Sequence, residues 1–116
     1  MNVAQPLVQA SLLGEAIDTG PVLVLVADDE MRFVAVNRAA CEALGYEREE
    51  LLAMRITDVA QYPEAPGEYA EMMAAGERAG RSQLMRKDGS ALTIEYRACK
   101  TKAAQMTFYV AVGFPV

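Results

Sequence analysis

The side chains of this chain that could do chemistry are its carboxylates, its tyrosines and its two cysteines, because none of its 116 residues is histidine. Histidine is the commonest general base, the usual protein ligand of haem and a frequent zinc ligand. Its absence excludes haem bound through histidine and any serine–histidine or cysteine–histidine nucleophile formed by this chain alone. No two acidic residues are predicted to meet in an apolar pocket, where paired carboxylates acquire separate acid and base roles. We therefore expect no catalytic residues and no enzymatic activity.

The densest group of carboxylates is Asp28, Asp29 and Glu30, between two strand-like segments. Its spacing matches no calcium-binding loop, and we interpret it as a solvated turn. The formal net charge of the chain is −5, and an acidic surface repels the phosphates of nucleic acids. The sequence therefore predicts neither a metal site nor a nucleic-acid partner.

The two cysteines, Cys41 and Cys99, have neither the spacing of a redox motif nor a histidine nearby. We interpret them as free thiols, because disulfides are rare in reducing compartments. The longest apolar run, residues 21–27, is too short to span a bilayer. The first residues lack the charged start of a signal peptide. These features predict a cytoplasmic protein that does not insert into a membrane.

The elements that position these side chains begin with an amphipathic helix over residues 7–19, which Gly20 and Pro21 end. Its apolar stripe allows two interpretations: the helix packs across its own domain, or it packs on a second copy of the chain. The second interpretation makes four residues of the stripe a candidate dimer interface: Leu7, Ala10, Leu13 and Ile17.

The next segments alternate between strands and short helices. Residues 22–27 and 32–37 predict a hairpin, and Asn37 is a typical N-cap for a helix that Gly45 ends. Single helical turns are expected at 47–53 and 56–60.

The second half of the chain predicts one longer helix and three strands. The helix covers residues 67–79 and ends at Gly80, and a hairpin turns at Asp88-Gly89. A turn at 101–104 leads to a last strand over 105–114, with Met106 and Phe108 on its inner face. Strands in two sets around helices indicate an α+β domain with one antiparallel sheet and the helices on one side.

Three segments resemble the PAS domain family. They read "VADDEMRFVAVN", "NRAACEALGYEREELL" and "RKDGSALTIEYRA", and the resemblance spans residues 21 to 114. It implies a PAS-like fold, with a five-stranded antiparallel sheet covered by short helices that enclose a cavity. We therefore divide the chain into an N-terminal flanking helix, residues 1–20, and a PAS-like core, residues 21–116.

The resemblance implies a sensory or signalling module that binds a small apolar or aromatic ligand, or a protein partner. Such a module would pass a conformational change to an output domain or partner protein, as a homodimer. Alternatively, the chain is a ligand-free PAS-fold dimerisation module, and the expected cavity residues simply pack a solid core. Ten residues are expected to line the ligand pocket: Ile56, Val59, Tyr69, Met72, Met73, Leu84, Ile94, Tyr96, Met106 and Phe108.

The positions of the two cysteines limit which flavin chemistry the chain can support. Light-sensing family members carry a flavin-reactive cysteine in a short helix, and the corresponding region here, residues 55–63, has none. A covalent flavin–cysteine adduct is therefore not expected. A flavin held without a covalent bond, or a lipid such as a fatty acid, is compatible with the expected apolar lining.

Overall fold

The computed structural model describes residues 5–116 and contains one five-stranded antiparallel sheet. The strand order is β2-β1-β5-β4-β3, so the last strand lies at the centre of the sheet. The elements are α1 Pro6–Thr19, β1 Leu23–Asp28, β2 Phe33–Val36, α2 Arg38–Leu44, α3 Arg48–Leu51, α4 Ile56–Val59, α5 Ala65–Ala75, β3 Glu77–Met85, β4 Ala91–Ala103 and β5 Met106–Pro115. The predicted α+β architecture, with short helices between the second and third strands and an N-terminal flanking helix, is confirmed.

The hydrophobic core lies between one face of the sheet and the short helices. Alternate residues of β1, Leu23, Leu25 and Ala27, are buried against it, as the period of two in a strand requires. The helices contribute the largest fully buried side chains, Leu44 and Leu51 among them. Burying such a side chain contributes about 1.5–3 kcal/mol, so short helices with few internal hydrogen bonds depend on this contact for their stability.

Asn37 joins three elements through one buried amide. Its Oδ1 accepts hydrogen bonds from the backbone N–H groups of Val24, at 2.9 Å, and Ala40, at 3.1 Å. Its Nδ2 donates to the carbonyl oxygens of Ile17, at 2.7 Å, and Val22, at 2.8 Å. The predicted N-cap of α2 is therefore confirmed, and the same side chain also holds the end of α1 and the start of β1.

The predicted helix over 67–79 is wrong at both ends. The structure begins α5 at Ala65 and ends it at Ala75, where Gly76 has a φ of 81° and its N–H donates to the carbonyl of Met72. A left-handed residue just after a helix favours glycine, and the first of two glycines supplies it. Gly80, expected to end the helix, lies instead inside the edge strand β3 and pairs with Tyr96.

The turn expected at 101–104 lies further along the chain. Strand β4 continues to Ala103, and a two-residue turn of Ala104 and Gln105, both with positive φ, leads into β5. Two-residue hairpin turns favour this conformation because it matches the twist of the paired strands. The pairing of β4 with β5 runs from Ile94 and Pro115 to Ala103 and Met106.

Helix α1 lies outside the core, and no residue in it is buried. The expectation that it packs across its own domain is therefore wrong. At its end, Asp18 accepts from the Arg48 side chain at 2.6 Å and from the backbone N–H of Arg38 at 3.2 Å, and the Ile17 carbonyl accepts from Asn37. Residues 1–4 of the predicted N-terminal segment lie outside the described residues. Within residues 5–116, no helix is long and apolar enough to cross a membrane.

Replacing Asn37 by alanine should lower the free energy of unfolding by about 2–4 kcal/mol, because it removes an N-cap and leaves buried backbone groups without partners. Asn37→Asp should also destabilise the protein, because a carboxylate cannot donate to the carbonyls of Ile17 and Val22. Urea unfolding followed by circular dichroism measures both changes. Arg38→Ala, at the exposed neighbouring position, is the control. A value for Asn37→Ala equal to that of the control would contradict this role.

Candidate functional site

A cavity of about 40 Å³ lies between the inner face of the sheet and helices α4 and α5. Six of the ten residues expected to line it do so: Ile56, Tyr69, Met72, Leu84, Ile94 and Tyr96. Nine further residues complete the lining: Leu25, Ala27, Met31, Phe33, Arg78, Ser82, Ala98, Tyr109 and Ala111. That these residues bind a ligand stays a prediction.

Four expected pocket residues do not line this cavity. Val59 is fully buried and packs in the main core. Met73 follows Met72 on α5 and is therefore rotated away from the sheet, with 36% of its surface exposed. Met106 and Phe108 lie on the outer face of β5, since the buried residue of that region is Tyr109. The prediction for these two residues is wrong because the inward and outward positions of β5 alternate one residue out of step with those predicted.

Gly113 marks the inward-facing phase of β5. A Cβ at this position would lie 3.0 Å from the carbonyl oxygen of Glu95 and 3.1 Å from Cδ1 of Ile94, so a larger residue requires these neighbours to shift. Gly113 is buried, and the residues at alternate positions, Tyr109 and Ala111, line the cavity. Because both faces of β5 are apolar, alternation alone gives no phase. The glycine within the strand was the available signal, since such glycines often mark a close approach of neighbouring atoms.

Arg78 forms the charged edge of the site. Its Nε donates to the hydroxyl of Tyr96 at 2.9 Å. One terminal nitrogen donates to Glu71 at 2.6 Å, and the other lies 3.3 Å from Glu68. All three nitrogens of the guanidinium are therefore engaged, and they connect helix α5 to strands β3 and β4. Sequence reasoning missed Arg78 because it was predicted inside a helix.

Tyr62 extends the same group of polar side chains. Its hydroxyl donates to the Glu68 carboxylate and accepts from Ser82 at 3.2 Å. Burial, together with this bond to Glu68, raises the pKa of Tyr62 to about 12. We call these six side chains the polar network: Tyr62, Glu68, Glu71, Arg78, Ser82 and Tyr96.

The Tyr69 hydroxyl differs from these groups because it has no partner. Within residues 5–116, this hydroxyl is buried from solvent and makes no hydrogen bond. Burial raises the pKa of Tyr69 well above its ordinary range, so its proton is retained. A buried hydroxyl without a partner costs about 1–3 kcal/mol, and such a group in a native structure calls for an explanation.

The turn between β1 and β2 places Met31 in the cavity wall. Met31 has a φ of 64°, and the Asp28 carboxylate holds the turn by accepting from the N–H groups of Glu30, at 2.9 Å, and Arg32, at 3.0 Å. The Met31 carbonyl accepts from the N–H of Ile56 at 2.8 Å, which fixes the start of α4. The acidic turn therefore has a structural role. Among the described residues, no three histidine, cysteine, aspartate or glutamate side chains form a group that could hold a metal ion.

The residues of this cavity do not fit a flavin or a fatty acid. Pockets for molecules of that size have volumes of roughly 300–1,000 Å³, and this cavity has about 40 Å³. Neither cysteine lines it: Cys41 is partly buried and packs against the main core, and Cys99 is exposed. A thiol for a flavin adduct is therefore not available at this site.

Comparisons with known proteins agree on one family. The family model described as a PAS domain matches residues 21–114. The PAS domain of a two-component sensor histidine kinase has 18% identity and a TM-score of 0.84, over 97% of this chain and 100% of that chain. A PAS domain from Desulfitobacterium hafniense has 25% identity and a TM-score of 0.77, over 88% and 99%. An RNA-binding light-oxygen-voltage receptor has 19% identity and a TM-score of 0.84, over 99% and 35%. No curated protein matches the sequence.

Alkaline titration should report the environment of Tyr62. The pKa of Tyr62 is raised from 10.0 to about 12, so its contribution to stability is fully present below pH 10 and is lost as the pH rises through 12. Tyrosinate absorption should contain a component with a midpoint of about 12. Tyr62→Phe should remove that component, and the control Tyr46→Phe should retain it. Retention of the component in Tyr62→Phe would contradict the assignment.

Proposed function

The chain belongs to the PAS domain family, and we propose that it is a sensory module that converts occupancy of its cavity into a change at its outer surface. The observation that carries this proposal is the position of the cavity on strands β4 and β5. Ala98 of β4 and Ala111 of β5 line the cavity, and they pair with each other across the two strands. The alternate residues of β5 form an apolar outer face. The cavity wall and this outer face are therefore two sides of the same strand.

The proposed mechanism is a shift of population between two arrangements of the helices over the cavity. Helix α4 has 4 residues, and α5 is bounded by a proline near its start and Gly76 at its end. Elements with few internal hydrogen bonds have low local stability and move at small cost. A ligand that binds one arrangement better raises the population of that arrangement by its difference in affinity.

The outer face of β1 and β5 is the proposed surface for the output. Val24 pairs with Val112, and Val26 pairs with Val110, which places four valines side by side on the two strands. Val112 and Phe114 are exposed. A contiguous apolar surface of this kind is typical of an interaction site, and its proposed partner is an output domain, another protein or a second copy of the chain.

This proposal describes a non-catalytic, cytoplasmic module. No carboxylate lines the cavity among the described residues, and the hydroxyl of Ser82 donates to Tyr62. Cys41 and Cys99 are free thiols, as is usual for proteins of reducing compartments.

Filling the cavity by mutation should mimic an occupant and test the coupling. Ala98→Val adds two methyl groups to the cavity wall, and Ala91→Val makes the same change at an exposed position of the same strand. Amide hydrogen exchange should change in α4, α5 and β5 for Ala98→Val, and remain as in the wild type for Ala91→Val. Changes confined to the residues that touch position 98 would contradict the coupling.

A second candidate function, a dimerisation module, is favoured by the exposure of α1. All four residues of the proposed interface, Leu7, Ala10, Leu13 and Ile17, are exposed. Leu7 has 84% and Leu13 has 61% of its surface accessible, which is more than a helix without a partner usually leaves in water.

The substitution Leu13→Glu should convert dimers into monomers, because it places a charge in the proposed apolar interface. Light scattering over a range of concentrations gives the mass. Leu52→Glu is the matched control, because Leu52 is also an exposed leucine but lies outside α1. It should leave the mass unchanged. A dimer that survives Leu13→Glu would contradict this interface.

A further inference from the structure

We propose that the cavity binds a neutral molecule of roughly four heavy atoms whose single oxygen accepts a hydrogen bond from the Tyr69 hydroxyl. The inference rests on the proposed function, because it assigns a class of ligand to the same cavity. Three observations limit that class: the unpartnered hydroxyl, the charges beside it and the volume.

The hydroxyl sets the polar contact. Among residues 5–116, Tyr69 Oη is buried without a hydrogen-bond partner, and Tyr69 lines the cavity. The nearby hydroxyl of Tyr62 donates to Glu68, and that of Tyr96 accepts from Arg78. A water molecule in an apolar cavity needs two to four polar partners. A ligand with one acceptor oxygen and an otherwise apolar surface needs one.

The polar network excludes an anion. It contains two carboxylates, Glu68 and Glu71, and one cation, Arg78, whose three nitrogens are all engaged. Arg78 is the charged residue of the cavity lining, and a carboxylate or phosphate would have to compete with Glu68 and Glu71 for it. Removing an unpaired anion from water has a large cost. The ligand is accordingly neutral.

The volume sets the size. A water molecule needs roughly 10–15 Å³ of such a cavity, so a cavity of about 40 Å³ holds a molecule of a few heavy atoms. Short ketones, aldehydes and alcohols meet this limit. The methionines at the wall, Met31 and Met72, have flexible side chains that adapt to the shape of such a molecule.

Three molecules of nearly equal shape test the requirement for neutrality and the requirement for an acceptor oxygen separately. Acetone is neutral with one acceptor oxygen, acetate is its anionic counterpart, and isobutene, supplied as a dissolved gas, has no acceptor. The full chain, labelled at its methionine methyl groups, is titrated with each molecule and followed by nuclear magnetic resonance. Met31 and Met72 report on the cavity, while the exposed Met73, Met85 and Met106 report on non-specific effects.

We expect acetone to shift the methyl signals of Met31 and Met72 saturably, with isobutene weaker and acetate without effect. Tyr69→Phe should weaken acetone by about 2- to 12-fold, the range for one hydrogen bond, and leave isobutene unchanged. Met72→Ala, which enlarges the cavity but retains Tyr69, should keep the preference for acetone. Without any ligand, Tyr69→Phe should raise the urea midpoint, because it removes an unpartnered hydroxyl.

Other outcomes overturn the proposal in distinguishable ways. Equal affinity for acetone and isobutene, or a preference that survives Tyr69→Phe, would remove Tyr69 as the polar contact while leaving the cavity as a binding site. Saturable binding of acetate would overturn the exclusion of anions. If none of the three molecules shifts Met31 or Met72, the cavity does not take this class of ligand. The sensory function is then judged by the hydrogen exchange of Ala98→Val, which needs no ligand.

Discussion

The fold depends most on the buried amide of Asn37, which hydrogen-bonds to three chain segments. Its oxygen caps α2 and also accepts from Val24, while its nitrogen donates to Ile17 and Val22. An amide can do this because it carries an acceptor and two donors, whereas a carboxylate has no donor and a hydroxyl has only one. The start of the sheet, the first short helix and the end of the flanking helix are thereby fixed relative to one another.

This constraint connects the two surfaces on which the proposed function relies. The carbonyl of Ile17, near the end of α1, accepts from Asn37, the N-cap of α2, and α2 packs on β1, which pairs with β5. In the proposed function, these hydrogen bonds and packed side chains are the route from the central strands to the flanking helix.

Features with local causes could be predicted from the sequence. Asn37 and Gly45 mark the two ends of α2, and Asp88-Gly89 marks a hairpin, because each residue type satisfies a backbone requirement at its own position. The phase of β5 could not be read from its apolar residues, since both faces are apolar and only Gly113 breaks the symmetry. The start of β3 was missed because residues 77–80 form an exposed edge and contain good helix formers.

The candidate site was predicted in part for the same reason. Residues of β4 such as Ile94 and Tyr96 alternate clearly with polar neighbours, and their inward direction follows. Whether the Tyr69 hydroxyl has a hydrogen-bond partner depends on the positions of all its neighbouring side chains, and no sequence pattern predicts these positions. Arg78 was hidden by the error in the helix end, although it organises the polar network.

The two ion pairs of the Arg78 guanidinium respond differently to ionic strength. It is the residue through which α5 is attached electrostatically to the sheet beside the cavity, and its two ion pairs differ in exposure. Glu71 is largely exposed, whereas Glu68 is shielded, so dissolved salt screens the first pair more than the second. Salt therefore weakens the attachment of α5 at Glu71 more than its attachment at Glu68.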